Sequence, residues 1–110
     1  MDANSYVLGT TITIGVALTD DHNQPVDPAK ITIIVEAGKG NVVVKHYTGE
    51  TQDFRRVSPG VYEYDFPTKV GAVHTVTSLI RSKDDRLDTA LHQFLVTGIS
   101  DAARKELAKL

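Results

Sequence analysis

The chain has 110 residues, a formal net charge of −2, no cysteine and no tryptophan. That length makes one domain, large enough to bury a core without covalent staples, and the missing cysteine excludes disulfides, thiolate nucleophiles and thiolate metal ligands. The mildly acidic balance, with no clustered basic stripe, argues against nucleic acid as a partner, and no apolar run approaches the ~20 residues that span a bilayer.

The opening Met-Asp-Ala-Asn-Ser carries neither a basic nor an apolar leader segment, so the sequence predicts synthesis and folding in the cytoplasm. Tyr6-Val7-Leu8-Gly9 reads as a short edge strand broken at Gly9. From Thr11 the alternation is clean. Ile12, Ile14, Val16 and Leu18 share one face of a strand and Thr11, Thr13, Gly15, Ala17 and Thr19 the other, the period-two signature of a half-buried strand.

Asp20 to Pro28 is a polar loop with three carboxylates, an Asn and a His. It lacks the glycine and the closing glutamate of a calcium loop, so turn chemistry by Asp and Asn is expected there and no metal. Ile31, Ile33 and Val35 then face inward from a strand that Gly38-Lys39-Gly40-Asn41 turns into the Val42–Tyr47 stretch. Thr51 to Val57 has one large apolar residue, Phe54, and reads as a weak strand.

Ser58-Pro59-Gly60 is a turn, because Pro presets φ and Gly accepts positive φ. It leads into the strand around which the chain is organised, with Tyr62, Tyr64 and Phe66 on one face and Val61, Glu63 and Asp65 on the other. Glu63 and Asp65 sit on one strand, whereas glycosidase carboxylates flank a cleft from separate elements; a solvated outer face is the reading. Ala72 to Arg81 is a long strand whose inward face the pattern leaves open. If Ala72, His74, Val76, Ser78 and Ile80 face inward, His74 is a hydrogen-bonded core residue.

Residues 87–97 fit two patterns. Leu87, Ala90, Leu91, Phe94 and Leu95 make a helical stripe, whereas Ala90, His92, Phe94 and Val96 make the inward face of a strand; the strand is preferred because a sheet needs a closing partner at its edge. Ser100 to Leu110 reads as a short helix, with Ser100 as N-cap and Asp101 complementing the dipole. Ile99, Ala103, Leu107 and Leu110 form its apolar stripe and are the expected partner contacts. The division is therefore a sandwich domain over 1–98 and a helical extension over 99–110. No phosphate loop, nucleophile elbow or His-Glu-x-x-His occurs, and the four histidines, 22, 46, 74 and 92, form no local cluster. Neither an enzyme nor a cofactor is expected.

Short strands with turn signals every eight to fourteen residues point to an all-β, immunoglobulin-like sandwich of about seven antiparallel strands. Ser58-Pro59-Gly60-Val61-Tyr62 is similar to the approach to a tyrosine corner, with Tyr62 as the structural tyrosine and Ser58 where that motif has Asp. Leu8-Gly9-Thr10, Gln24-Pro25-Val26-Asp27-Pro28, Pro59-Gly60-Val61-Tyr62-Glu63-Tyr64 and Phe94-Leu95-Val96, in that order, resemble the small Ig-like virion proteins of tailed bacteriophages over about residues 6–97. The resemblance implies a non-enzymatic subunit of a phage head, neck or tail, located in the virion. It also implies many copies, contacts with other virion proteins, and no nucleic acid or membrane as partner. The alternative is a surface- or carbohydrate-binding Ig-like module of a bacterial extracellular protein. The inward placement of Tyr62, Tyr64 and Phe66 counts against its glycan form.

Overall fold

The computed structural model describes residues 5–38, 40–97, 106 and 108–110. Eight strands form: β1 (Ser5–Val7), β2 (Thr11–Ala17), β3 (Lys30–Ala37), β4 (Val42–Tyr47), β5 (Arg55–Ser58), β6 (Val61–Pro67), β7 (Val73–Arg81) and β8 (Leu87–Thr97). They make a five-stranded sheet in the order β1-β8-β7-β3-β4 and a three-stranded sheet in the order β2-β6-β5. The expected all-β sandwich is what forms, with eight strands rather than seven. β1, at the short edge strand read from Tyr6, pairs parallel to β8, so the strands are not all antiparallel.

The alternation read in the sequence becomes the core directly. Ile12, Ile14 and Val16 from β2, Ile31, Ile33 and Val35 from β3, Tyr62 and Phe66 from β6, Val76 and Ile80 from β7, and Phe94 and Val96 from β8 are all buried between the sheets. Each comes from one face of a pleat, because successive side chains point to opposite sides. β6 is the middle strand of its sheet, in register with β2 from Thr11↔Pro67 to Ala17↔Val61.

All seven aromatic residues join one chain of ring contacts: Tyr6 with Phe94, Phe94 with Phe66, Phe66 with Tyr64, Tyr64 with Phe54, Phe54 with Tyr47, and Tyr47 with Tyr62. None is fully exposed. The chain of rings crosses both sheets, so it ties strands that share no backbone hydrogen bonds, and each ring pair adds to area burial.

Residues 87–97 are strand, paired with β7 without a break from Arg81↔Leu87 to Val73↔Leu95. The expected inward face is only half realised. Phe94 and Val96 are buried, but Ala90 and His92 are exposed, because the smaller sheet does not extend over that half of β8. Ile99, Ala103 and Leu107, and most of the helix expected over 99–110, lie outside the described residues; no helix is among the described elements. Leu110 is described and fully exposed.

Candidate binding surface

Tyr62 is buried, and its hydroxyl meets a partner that the sequence did not indicate. Its hydroxyl donates to Asp27 Oδ1 at 2.9 Å. The same oxygen accepts from the Gly60 amide at 2.8 Å and from Arg56 Nε at 3.1 Å, while Asp27 Oδ2 accepts from Arg56 Nη2 at 2.8 Å. These four donors, the Arg56 guanidinium foremost, hold the Asp27 carboxyl far below the usual carboxylate range. Burial, together with the hydrogen bond to Asp27, pushes the Tyr62 phenol up to about 12. The network clamps the polar loop to the β5–β6 turn. It is a structural joint in which every acceptor is already used.

The other sequence-level candidates resolve in the same direction. Asp20 Oδ1 accepts from the amides of His22 and Gln24 at 2.8 and 3.0 Å, the turn chemistry expected of that loop. Glu63 and Asp65 are bridged by Arg55, at 2.8 Å to Glu63 and 2.6 Å to Asp65. Arg55, and after it the Thr13 hydroxyl, holds Asp65 below its ordinary pKa. A pair of carboxylates sharing one guanidinium is not an acid/base pair poised for catalysis.

His74 is 1% exposed and lies in the core as one reading of β7 required. Its Nδ1 lies 3.0 Å from the Ala72 carbonyl oxygen, and its ring stacks on Phe94 at 4.8 Å. His46 Nδ1 meets the Thr32 hydroxyl at 3.0 Å. Among the described residues no group of three His, Cys, Asp or Glu could hold a metal ion.

A cleft of about 450 Å³ opens between the sheets beside the β3–β4 hairpin, floored by Val35, Val43 and Phe66, with Lys45 and Lys69 at its lining. Its size suits a small ligand, yet Val35 and Phe66 are almost fully buried beneath it, so little apolar surface is offered.

The larger feature is the outer face of the five-stranded sheet. Register places Leu91, Thr77, Ile34 and Val44 in one row across β8, β7, β3 and β4. The next row toward the cleft is Gln93, Thr75, Glu36 and Val42, and beyond it lie Leu95 and Val73. Charge enters at Glu36 and at the far row of Lys30 and Arg81. Leu91 is 68% exposed and Val42, Val73 and Leu87 are each more than half exposed. Leu87, Leu91 and Leu95 follow one another along the outward face of β8, with Val73 paired to Leu95, and an exposed apolar row on one strand is the part of this face that suits a contact.

That face runs to an open edge. Val96 N donates to the Ala72 carbonyl at 2.9 Å, and Leu8 N donates to the Thr97 carbonyl at 3.0 Å. Even-numbered residues of β8 therefore turn their backbone groups toward β7, and odd-numbered ones turn theirs away. β1 meets β8 only at Leu95, Val96 and Thr97. Among the described residues no strand pairs with the outward N–H and C=O groups of Leu87, Thr89, Leu91 and Gln93.

Comparison with known proteins bears on the fold. No family model matches the chain, and no curated protein matches it. A solved structure does. It is CopC from Methylosinus trichosporium OB3b, similar over 89% of this chain and 86% of that one, with a TM-score of 0.61 and 15% sequence identity. This likeness shows a shared β-sandwich fold. It also corrects two expectations drawn from the phage resemblance: the reading as a phage virion subunit is overturned, and the virion location falls with it. The physical reason is that the motifs carrying the resemblance are turns and pleat alternation, such as Pro59-Gly60-Val61-Tyr62. Those specify how two sheets close, not where the sandwich works.

The face and edge of β8 were missed at the level of sequence. The signal was present in Leu87, Leu91 and Leu95, which the helical pattern placed on its apolar stripe and the strand pattern left on the outward face.

Proposed function

We propose that this chain is a non-enzymatic binding module of a bacterial protein, working at or beyond the cell envelope, and that it binds an extended polypeptide segment along β8. The observation that carries this reading is the edge of Leu87–Gln93, unpaired among the described residues, beside the exposed Leu87 and Leu91 of the outer face. Strand addition satisfies such an edge with backbone hydrogen bonds, and alternate side chains of the guest supply apolar contact. The likeness to CopC supports the bacterial setting. The glycan form of the earlier alternative has no support from the aromatics, which are all drawn into the ring chain of the core.

A metal role, which the CopC likeness invites, finds no donor set among the described residues, with His74 and His46 engaged by Ala72 and Thr32. The test is a pair of titrations followed by backbone NMR. An alternating Thr-Val peptide of seven residues is expected to shift the amides of Leu87, Thr89, Leu91 and Gln93. Cu(II) is expected to bind without a stoichiometric site. Stoichiometric copper binding that moves the histidines, with β8 untouched by the peptide, would overturn the reading.

A further inference from the structure

We infer that the partner at this edge is a second copy of the chain, joined through antiparallel pairing of β8 with β8 about a two-fold axis at Ala90. The inference rests on the reading of β8 as a strand-binding edge and names its occupant.

The register follows from the outward groups. Antiparallel ladders alternate between pairs that exchange both hydrogen bonds and pairs that exchange none. Residues whose groups face the open edge must fall on the hydrogen-bonded pairs. In β8 these are Leu87, Thr89, Leu91 and Gln93. An axis at Ala90 pairs Leu87 with Gln93 of the partner subunit and Thr89 with Leu91 of the partner subunit, and the reciprocal pairs follow by symmetry. All the outward groups are then satisfied. The edge free of β1 runs from Leu87 to Gln93, and Ala90 is its midpoint. Moving the axis to Leu91 would pair Leu87 with Leu95 of the partner subunit, whose edge β1 already occupies.

The side chains agree with that register. Non-hydrogen-bonded pairs bring side chains closest. At the axis such a pair is Ala90 with Ala90 of the partner subunit, a small residue where two strands cross. The flanking pair is Asp88 with His92 of the partner subunit, and it occurs twice. Asp88 is the only formally charged residue between Leu87 and Gln93, and an inward-pointing charge on an edge strand ordinarily blocks pairing. Here each copy answers it with an imidazole. Ala90, His92 and Asp88 are exposed in the single chain, so nothing must be displaced to form the pairs. The segment also carries no proline, lysine or bulge, the usual devices that protect an edge. On the other side of the sheet, Leu87 and Leu91 of both copies come together, and the two outer faces become one surface. An isologous contact of this kind closes after two copies and does not propagate.

The experiment is sedimentation velocity on the full chain over a concentration series, beside Thr89→Pro and Asp88→Lys. The Thr89 amide faces the open edge, so proline there removes an intersubunit donor without breaking a bond to β7. Asp88→Lys is an exposed change that sets a cation opposite His92 and guards against a folding defect in the first variant. A wild-type dimer that each variant weakens at least tenfold, with the monomer still folded, is the expected result. A monomer at every concentration, or a dimer that both variants leave intact, overturns the proposal. If the monomer still shows slow hydrogen exchange at Thr89, Leu91 and Gln93, another part of the same chain covers the edge, and the proposal is again overturned. A monomer that takes the Thr-Val peptide at β8 refutes self-pairing alone; one that does not refutes the strand-binding reading too.

Discussion

Gly60→Ala tests the joint that sets the sandwich's polar end. Gly60 has φ of +74°, and an added Cβ would lie 2.6 Å from the Leu18 carbonyl oxygen, 3.0 Å from Val26 N and 3.1 Å from Val26 O. All three are backbone atoms, so no side chain can swing aside. Left-handed backbone costs a residue with a Cβ about 1–2 kcal/mol. The clash also pushes on the Leu18 N to Gly60 O bond of 2.8 Å and the Val26 N to Leu18 O bond of 3.1 Å, each worth about 1 kcal/mol. The sum is about 3–4 kcal/mol, or a fall in Tm on the order of 15–25 °C for a domain of this size. Gly40→Ala is the control. Its φ is +82°, but nothing lies within 4 Å of the added Cβ, so it should lose only about 1–2 kcal/mol. Urea unfolding followed by circular dichroism gives both values, with equal m for wild type and variants. If the two variants lose the same stability within about 0.5 kcal/mol, the close approach contributes nothing and the reasoning is wrong.

Phe94→Ala removes a ring that meets Tyr6, Phe66 and His74 and should cost about 3–5 kcal/mol. Leu91→Ala, three residues earlier and 68% exposed, should stay within about 0.5 kcal/mol in dilute monomer; urea melts of both separate the buried half of β8 from the exposed half. Asp27 is depressed in the fold, so its contribution is present above the unfolded carboxylate value of about 4 and is lost as pH falls below it. Asp27→Asn should therefore flatten the acid limb of a stability-versus-pH curve, and an unchanged limb would assign it to Asp65 and Asp84, which are also held low. Tyr62 is raised, so its contribution holds below about pH 10 and is lost as pH rises through about 12. In an ultraviolet titration of the four tyrosines, Tyr62 should ionise late, and Tyr62→Phe should remove that late step.

Much of the fold was legible because pleat alternation is a local property. Ile12, Ile14 and Val16, or Ile31, Ile33 and Val35, declare an inward face without reference to any other strand, and Pro59-Gly60 declares a turn. Strand length along β8 was legible too, although its leucines at 87, 91 and 95 also fit a helix. The exclusion of cysteine chemistry came from composition alone.

The sequence could not decide which strands become neighbours. Tyr62 announces a corner, but its acceptor is Asp27, 35 residues away, and only the packing of the polar loop on the β5–β6 turn brings that carboxylate to the phenol. Likewise, period-two alternation marks Ala90 and His92 as inward. Whether inward means buried depends on how far the opposite sheet extends, and the three strands of that sheet stop short of them. Among the described residues the Leu87–Gln93 edge is open for a separate reason, since β1 in the same sheet covers only three residues of β8. Alternation is written residue by residue along one strand. Coverage is set by the number, length and order of strands in two sheets, which the tertiary structure alone determines.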